Sequence, residues 1–152
     1  MDIDTDPRIS ELVARLTEGL AAILTDYPAI GVAYLYGSTA EGRSTPLSDV
    51  DVALVASVDM EPHQTLRAEL RIETRLAEEA GIRKADVRVI NDAPLGLRGQ
   101  VACKGLLVYC VDEDARVRFE TTTRSEYFDY LPLASQLREA FLADVQERGL
   151  SG

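Results

Sequence analysis

The sequence of 152 residues has few of the residues that build disulfide scaffolds and histidine metal sites. It contains two cysteines, Cys103 and Cys110, one histidine, His63, and no tryptophan. Two cysteines are too few for a disulfide framework or a cysteine zinc site, and one histidine excludes a multi-histidine metal site. We therefore expect both cysteines to be reduced thiols packed in the core and His63 to lie on a helix surface.

The sequence also lacks a long apolar run, an N-terminal leader pattern and a cluster of basic residues. The first two absences predict no membrane span and no secretory signal, so we expect a cytoplasmic protein. Lys and Arg number 16 against 26 Asp and Glu, which gives a formal net charge of −10. This charge disfavours direct binding of nucleic acid and is compatible with a basic protein partner.

The composition, with 46% hydrophobic and 28% charged residues, suits a globular domain with one core. Apolar residues at three- and four-residue steps predict a first helix that starts at Pro7. Extended segments predict strands, and Gly or Pro residues separate these from further helices. The predicted strands cover residues 31–36, 49–55, 86–90 and 106–111, and the helices between them cover 62–80 and 92–104. We therefore expect an α+β fold in which helices flank a small mixed β-sheet.

The C-terminal segment, residues 113–148, has a helical pattern that we expect to be broken at Pro132. Its large apolar residues form a stripe that begins with a group around Pro132 (Tyr127, Phe128, Tyr130, Leu131 and Leu133) and continues at helical spacing with Leu137, Phe141, Leu142 and Val145. We interpret this stripe as core packing, with a docking surface for a protein partner as the alternative. The predicted organisation is a main domain of residues 1–111 and a helical extension, residues 112–152, packed on it.

A pair of aspartates, Asp49 and Asp51, lies at the start of the second predicted strand. Residues two apart in a strand point to the same face, so the two carboxylates project together. Two carboxylates this close repel each other unless a cation balances them, and Mg²⁺ prefers such oxygen ligands. Taken alone, the pair is better interpreted as an exposed strand end, because Asp-x-Asp is common.

A glycine-serine turn, Gly37-Ser38, follows the first predicted strand. Gly37 lets the backbone approach a ligand closely, and the turn amides with the Ser38 hydroxyl suit phosphate oxygens. An ordinary strand-ending turn is the alternative. The turn and the aspartate pair together are more specific than either alone, and Asp86 opens a further strand from which a third carboxylate can reach the same place.

Gly37-Ser38, ten residues and then Asp49-x-Asp51 match the GSx10DxD signature of the DNA polymerase β-like nucleotidyltransferases. The stretch LYGSTAEGRSTPLSDVDVALV resembles the minimal nucleotidyltransferases within that family, and Asp86 matches the family's third carboxylate strand. The resemblance implies a polymerase β-like fold, with residues 1–111 as the minimal nucleotidyltransferase domain.

The chemistry that this resemblance implies is transfer of a nucleotidyl group from ATP with a pair of Mg²⁺ ions. Asp49, Asp51 and Asp86 are then both the metal ligands and the catalytic residues, and Asp86 faces the acceptor. The expected contacts of the triphosphate are Gly37 and Ser38, with Arg43 and Ser48 as additional candidates.

The end of the chain, VRFETTTRSEYFDYLPL, is similar to the tails of MntA-type antitoxins. Those antitoxins are paired with HepT toxins, which are ribonucleases of the HEPN superfamily. The similarity implies an antitoxin that transfers AMP to a tyrosine hydroxyl of a HepT-like toxin within a hetero-oligomeric complex. A binding-only antitoxin that acts by occlusion and a transferase for small molecules such as aminoglycosides are the alternatives.

Overall fold

The computed structural model describes residues 7–40 and 49–150, without the side chains of residues 38, 39 and 147–150. The elements follow the predicted order of helices and strands. They are α1 (Pro7–Ile23) with a 3-10 turn (Leu24–Asp26), β1 (Ile30–Tyr36), the single turn α2 (Gly37–Ala40), β2 (Val50–Ala56), α3 (Pro62–Ala80), β3 (Ala85–Val89), α4 (Leu95–Lys104), β4 (Leu106–Cys110) and α5 (Glu113–Leu150). Among the helices of these described ranges, none has the length and apolar character that a membrane span requires.

The four strands form one mixed sheet in the order β3-β2-β1-β4. The central strand β1 is antiparallel to both of its neighbours, whereas β2 and β3 run parallel. All seven residues of β1 are buried, as expected for a strand with a neighbour on each side and helices on both faces. The α+β architecture predicted from the sequence is thus confirmed.

Each face of the sheet packs against a separate set of helices. On one face, α1 and α3 enclose a core that includes Leu16, Leu20, Leu35, Leu54 and Ile72, all fully buried. On the other face, α4 and α5 cover Val32, Tyr34, Tyr36, Ala53 and Val55. Because strand residues alternate between faces, Asp51 lies on the second face, in line with Ala53 and Val55.

The edge strand β3 is held in place by carboxylates from α3. The backbone N–H of Val87 donates to Glu73 Oε2 and that of Val89 donates to Glu69 Oε2, each at 2.8 Å. These bonds satisfy amides that an edge strand leaves without a sheet partner. They also determine where β3 carries Asp86.

Helix α5 runs from Glu113 to Leu150 with Pro132 inside it, so the predicted break is wrong. A proline within a helix removes the hydrogen bond to the carbonyl four residues earlier, here that of Phe128. Both residues are exposed, so water can solvate this carbonyl, and the lost bond does not force the helix to end.

Only the first part of α5 packs on the rest of the molecule. The Tyr34 hydroxyl of β1 donates to Glu120 Oε2 at 2.7 Å, and Arg124 Nε donates to the carbonyl oxygen of Ala102 in α4 at 3.0 Å. The ring of Tyr127 lies so close to Gly99 that a Cβ at residue 99 would overlap it. These contacts tie α5 to β1 and α4 as far as Tyr127.

We call residues 128–146 of α5 the distal segment. Its large apolar side chains are 42% to 66% exposed: Phe128, Tyr130, Leu131, Leu133, Leu137, Phe141, Leu142 and Val145. The core-packing interpretation of these residues is therefore wrong, because an apolar pattern in the sequence does not show what covers the side chains. The division of the chain between residues 111 and 112 stays a prediction.

The expectation of core cysteines also needs correction. Both thiols are free, but Cys103 is exposed near the end of α4 and Cys110 is only partly buried. His63 is exposed on α3, as predicted.

Candidate active site

Strand pairing brings the candidate site residues to one end of the sheet. Asp51 in β2 is paired with Tyr36, the last residue of β1, and with Asp86 in β3. Asp49 precedes β2 by one residue, and Gly37 follows β1 directly. The end of one strand and the starts of two others therefore meet, and their polar residues lie against the buried core.

Gly37 is required at this point for two independent reasons. Its φ of 79° lies in the left-handed region, which side chains disfavour. In addition, a Cβ at residue 37 would overlap Oδ2 of Asp51. The turn thus approaches the aspartate as closely as a glycine permits, and it leads directly into the helical turn that ends at Ala40.

The carboxylates affect one another electrostatically. Burial raises the pKa of Asp51 above its ordinary value, and the charges of Asp86 and then Asp49 raise it further, while Arg88 opposes these effects. Asp51 is partly buried and Asp49 is exposed. An exposed strand end therefore describes Asp49 but not Asp51, which is partly buried.

Arg88 is a site residue that the sequence analysis did not select. Its Nε lies 3.4 Å from Oδ1 of Asp86, and its side chain is 58% exposed. Asp86 and Arg88 are two residues apart in β3, and strand alternation places both side chains on the same face. That spacing was the signal available in the sequence.

Tyr36 was also not selected, and it forms the side of the site that faces the core. It is 9% exposed, and its pKa is raised by burial and then by the charge of Asp51. The phenol is therefore protonated at neutral pH and presents an apolar ring beside the carboxylates. Its burial follows from its position as the last residue of the central strand.

Of the residues predicted to contact the phosphates, the structure shows one, Gly37, beside the carboxylates. Gly37 is in place beside Asp51. The side chain of Ser38, and Arg43 and Ser48 altogether, lie outside the described residues. Their roles stay predictions.

The chemistry of this site suits a hard divalent cation, which favours oxygen ligands and neutralises neighbouring carboxylates. The structural observations in favour of that fit are the pairing of Asp51 with Asp86 and the close approach of Gly37 to the Asp51 carboxylate, which a Cβ would overlap. Within residues 7–40 and 49–150, the side chains do not form a group of three or more His, Cys, Asp or Glu already placed around one metal position.

A cavity of about 650 Å³ lies at the opposite end of β2 and β3 and is lined by Ala56, Glu69, Val89 and Asn91 among others. The Asn91 side chain holds the backbone there: its Oδ1 accepts from the N–H of Ala56 and its Nδ2 donates to the carbonyl of Ala56. The cavity is thus separate from the carboxylates.

Comparison with protein families identifies this arrangement. The model of the family described as Polymerase beta, Nucleotidyltransferase matches residues 18–114, a range that contains Gly37, Asp49, Asp51 and Asp86. The chain belongs to this nucleotidyltransferase family. The predicted family and fold are confirmed.

Solved structures give the same fold for this nucleotidyltransferase. One similar chain is from a toxin–antitoxin crystal structure with AMP-PNP, at 25% identity and a TM-score of 0.63, covering 86% of this chain and 98% of the other. A chain of the MntA–HepT toxin–antitoxin structure is 21% identical, with a TM-score of 0.58 and coverage of 86% and 96%. A third belongs to tri-AMPylated Shewanella oneidensis HEPN toxin in complex with MNT antitoxin, at 24% identity, a TM-score of 0.58 and coverage of 86% and 95%. A comparison with curated protein sequences found no match.

Proposed function

We propose that this nucleotidyltransferase is the antitoxin of a toxin–antitoxin pair and that it transfers AMP from ATP to a tyrosine hydroxyl of a HEPN-type ribonuclease toxin. The register that sets Asp51 beside both Gly37 and Asp86 is the observation that carries the proposal. It supports a site in which a phosphate-binding turn and metal-binding carboxylates act on one substrate.

In the proposed site, Asp49, Asp51 and Asp86 would hold Mg²⁺ beside ATP, with Asp86 facing the acceptor. Bound Mg²⁺ would neutralise the phosphate charge and lower the pKa of the acceptor hydroxyl. Gly37 leaves room for the polyphosphate beside Asp51 because it carries no side chain. Tyr36, which is buried, forms the side of the site that faces the core.

A protein acceptor is supported by the similar structures and by the distal segment. The structure with AMP-PNP is of a toxin–antitoxin complex, and 98% of its matched chain is covered. The distal segment exposes eight large apolar side chains, and exposed apolar surface is typical of protein interfaces. We propose that these side chains contact the toxin.

The charged residues of the distal segment indicate what kind of toxin surface it fits. Asp129, Glu139 and Asp144 are acidic, and Arg138 is the one basic residue between residues 128 and 146. A second copy of the chain would bring like charges together, since the whole chain carries −10. An apolar toxin surface with basic residues at its border matches this segment better.

The test uses the double variant Asp49→Asn/Asp51→Asn with the protein encoded beside this one, labelled ATP and Mg²⁺. We expect label and a mass increase of one or more AMP groups on the partner with the unaltered protein, and neither with the variant. The variant should still capture the partner, which separates lost chemistry from lost binding. Label transfer at an unchanged rate by the variant contradicts the assignment of the two aspartates.

The same measurement separates transfer from inhibition by occlusion. A partner that is neutralised by the unaltered protein and by the variant alike, with no change in mass, identifies a binding-only antitoxin. Neutralisation that depends on the aspartates and on ATP identifies the enzyme.

A further inference from the structure

The ion pair between Asp86 and Arg88 places a cation of the chain at the proposed metal site. The guanidinium Nε lies 3.4 Å from Asp86 Oδ1. Among the neighbouring charges, that of Asp86 has the largest effect on the pKa of Asp51 and on that of Arg88, and it raises both. The three side chains therefore belong to one local charge system.

The exposure of the pair indicates that it is easily broken. The Arg88 side chain is 58% exposed and that of Asp86 is 36% exposed. Ion pairs with this much solvent contact contribute little to folding, since water solvates both partners when they separate. The arginine has a flexible aliphatic chain and open solvent around it, so it can leave Asp86 without disturbing the core.

The ion pair lies at the proposed metal site, so breaking it affects how a metal binds there. A divalent cation that binds Asp51 and Asp86 needs the Asp86 carboxylate that Arg88 approaches. It also meets the positive charge of the guanidinium at short range. Binding of the metal and the Asp86–Arg88 contact are therefore in competition.

We propose that Arg88 is an exchangeable counter-ion: it balances Asp86 and its neighbours when no metal is bound, and it gives up Asp86 to the divalent cation. The inference rests on the metal site of the proposed function. Its consequence is that Arg88 weakens binding of the metal alone, and so biases the site towards a metal that arrives together with the negative charge of a nucleotide.

The test measures affinity for Mn²⁺ alone, without nucleotide, from the signal of free Mn²⁺ in electron paramagnetic resonance. Arg88→Gln removes the charge but keeps a polar side chain, and it should bind Mn²⁺ about three- to tenfold more tightly than the unaltered protein. Arg88→Lys keeps the charge and should stay within about twofold of it. Arg67→Gln removes an exposed arginine on α3, away from the carboxylates, and controls for net charge.

Thermal unfolding supplies a second measurement. Without metal, Arg88→Gln leaves the carboxylates less balanced, so added Mn²⁺ should raise its melting temperature more than it raises that of the unaltered protein. Equal affinities and equal shifts for the unaltered protein and Arg88→Gln overturn the inference and leave the metal site in place. Failure of both proteins to bind Mn²⁺ overturns the metal site and this inference together.

Discussion

The end of the sheet and the distal segment differ in what surrounds their side chains. At the end of the sheet, acidic groups lie against a buried core, with Asp51 partly buried beside Tyr36. In the distal segment, eight large apolar residues lie in solvent. Both arrangements are unfavourable by themselves, since buried carboxylates need a counter-charge and exposed apolar side chains order water.

Under the proposed function, each region is completed by something that binds to it. A cation and a polyphosphate would balance the carboxylates, and an apolar protein surface would cover the distal segment. The regions differ in how they are held: strand register determines the first, whereas the second is attached by α5 alone beyond Tyr127. The following predictions test that difference, from the largest expected effect to the smallest.

The largest effect is expected when Gly37 is replaced by Ala. The added Cβ overlaps the Asp51 carboxylate, and the alanine has to adopt a φ of 79°. We expect AMP transfer to fall by about 100-fold or more, since displacement of catalytic groups by about 1 Å is enough for such a loss. The rate of label transfer to the partner measures it.

Gly96→Ala is the matched control for Gly37→Ala. A Cβ at residue 96 meets no atom within 4 Å, and Gly96 lies in helix α4. Transfer should be unchanged and stability equal or slightly higher, by up to about 1 kcal/mol. Equal loss of transfer in both variants would show that the overlap with Asp51 is not the cause.

Truncation of one leucine in the core and of one in the distal segment should show that the two are packed differently. Leu20 is 0% exposed and Leu137 is 61% exposed. Leu20→Ala should lower the free energy of unfolding by about 2–5 kcal/mol, because it leaves a cavity. Leu137→Ala should change it by less than about 0.5 kcal/mol. Urea denaturation of both variants tests this, and a loss above about 2 kcal/mol for Leu137→Ala would show that the distal segment is packed.

The attachment of α5 to the sheet is tested at Tyr34. Its hydroxyl donates to Glu120, so Tyr34→Phe removes a contact that ties α5 to β1. Glu120 keeps Arg116 and Arg124 as partners, so we expect a loss of about 1 kcal/mol in the free energy of unfolding. Tyr130→Phe, in the distal segment, should cause no measurable loss in the same denaturation experiment.

The smallest effect on stability is expected from Phe141→Ser, since this side chain is 66% exposed. The free energy of unfolding should stay within about 0.5 kcal/mol of that of the unaltered protein. Capture of the toxin should nevertheless weaken, and Gln136→Ser, at an exposed polar position of the same segment, should leave it unchanged. Undiminished capture by Phe141→Ser would contradict the proposed contact with the toxin.

Much of the fold and the composition of the site follow from local pattern. Helix α3 was predicted at its observed limits, because Pro62 suits a helix start and Gly81 takes the left-handed conformation that ends the helix. The spacing of Gly37, Asp49 and Asp51 indicated the nucleotidyltransferase family, and the family comparison confirmed it. Arg88 was missed although its spacing from Asp86 was visible, because a single exposed arginine has no distinctive sequence pattern.

Tertiary structure alone decided which residues meet and which remain uncovered. The pairing of Asp51 with Asp86 depends on β3 joining β2 in parallel across an intervening helix, a long-range contact with no local signal. The exposure of the distal segment was likewise not readable, since an apolar stripe looks the same whether a core or a partner covers it. The sequence by itself determined the residue types and their local conformations, because both depend on neighbours along the chain. Only the packing of distant segments decided their surroundings.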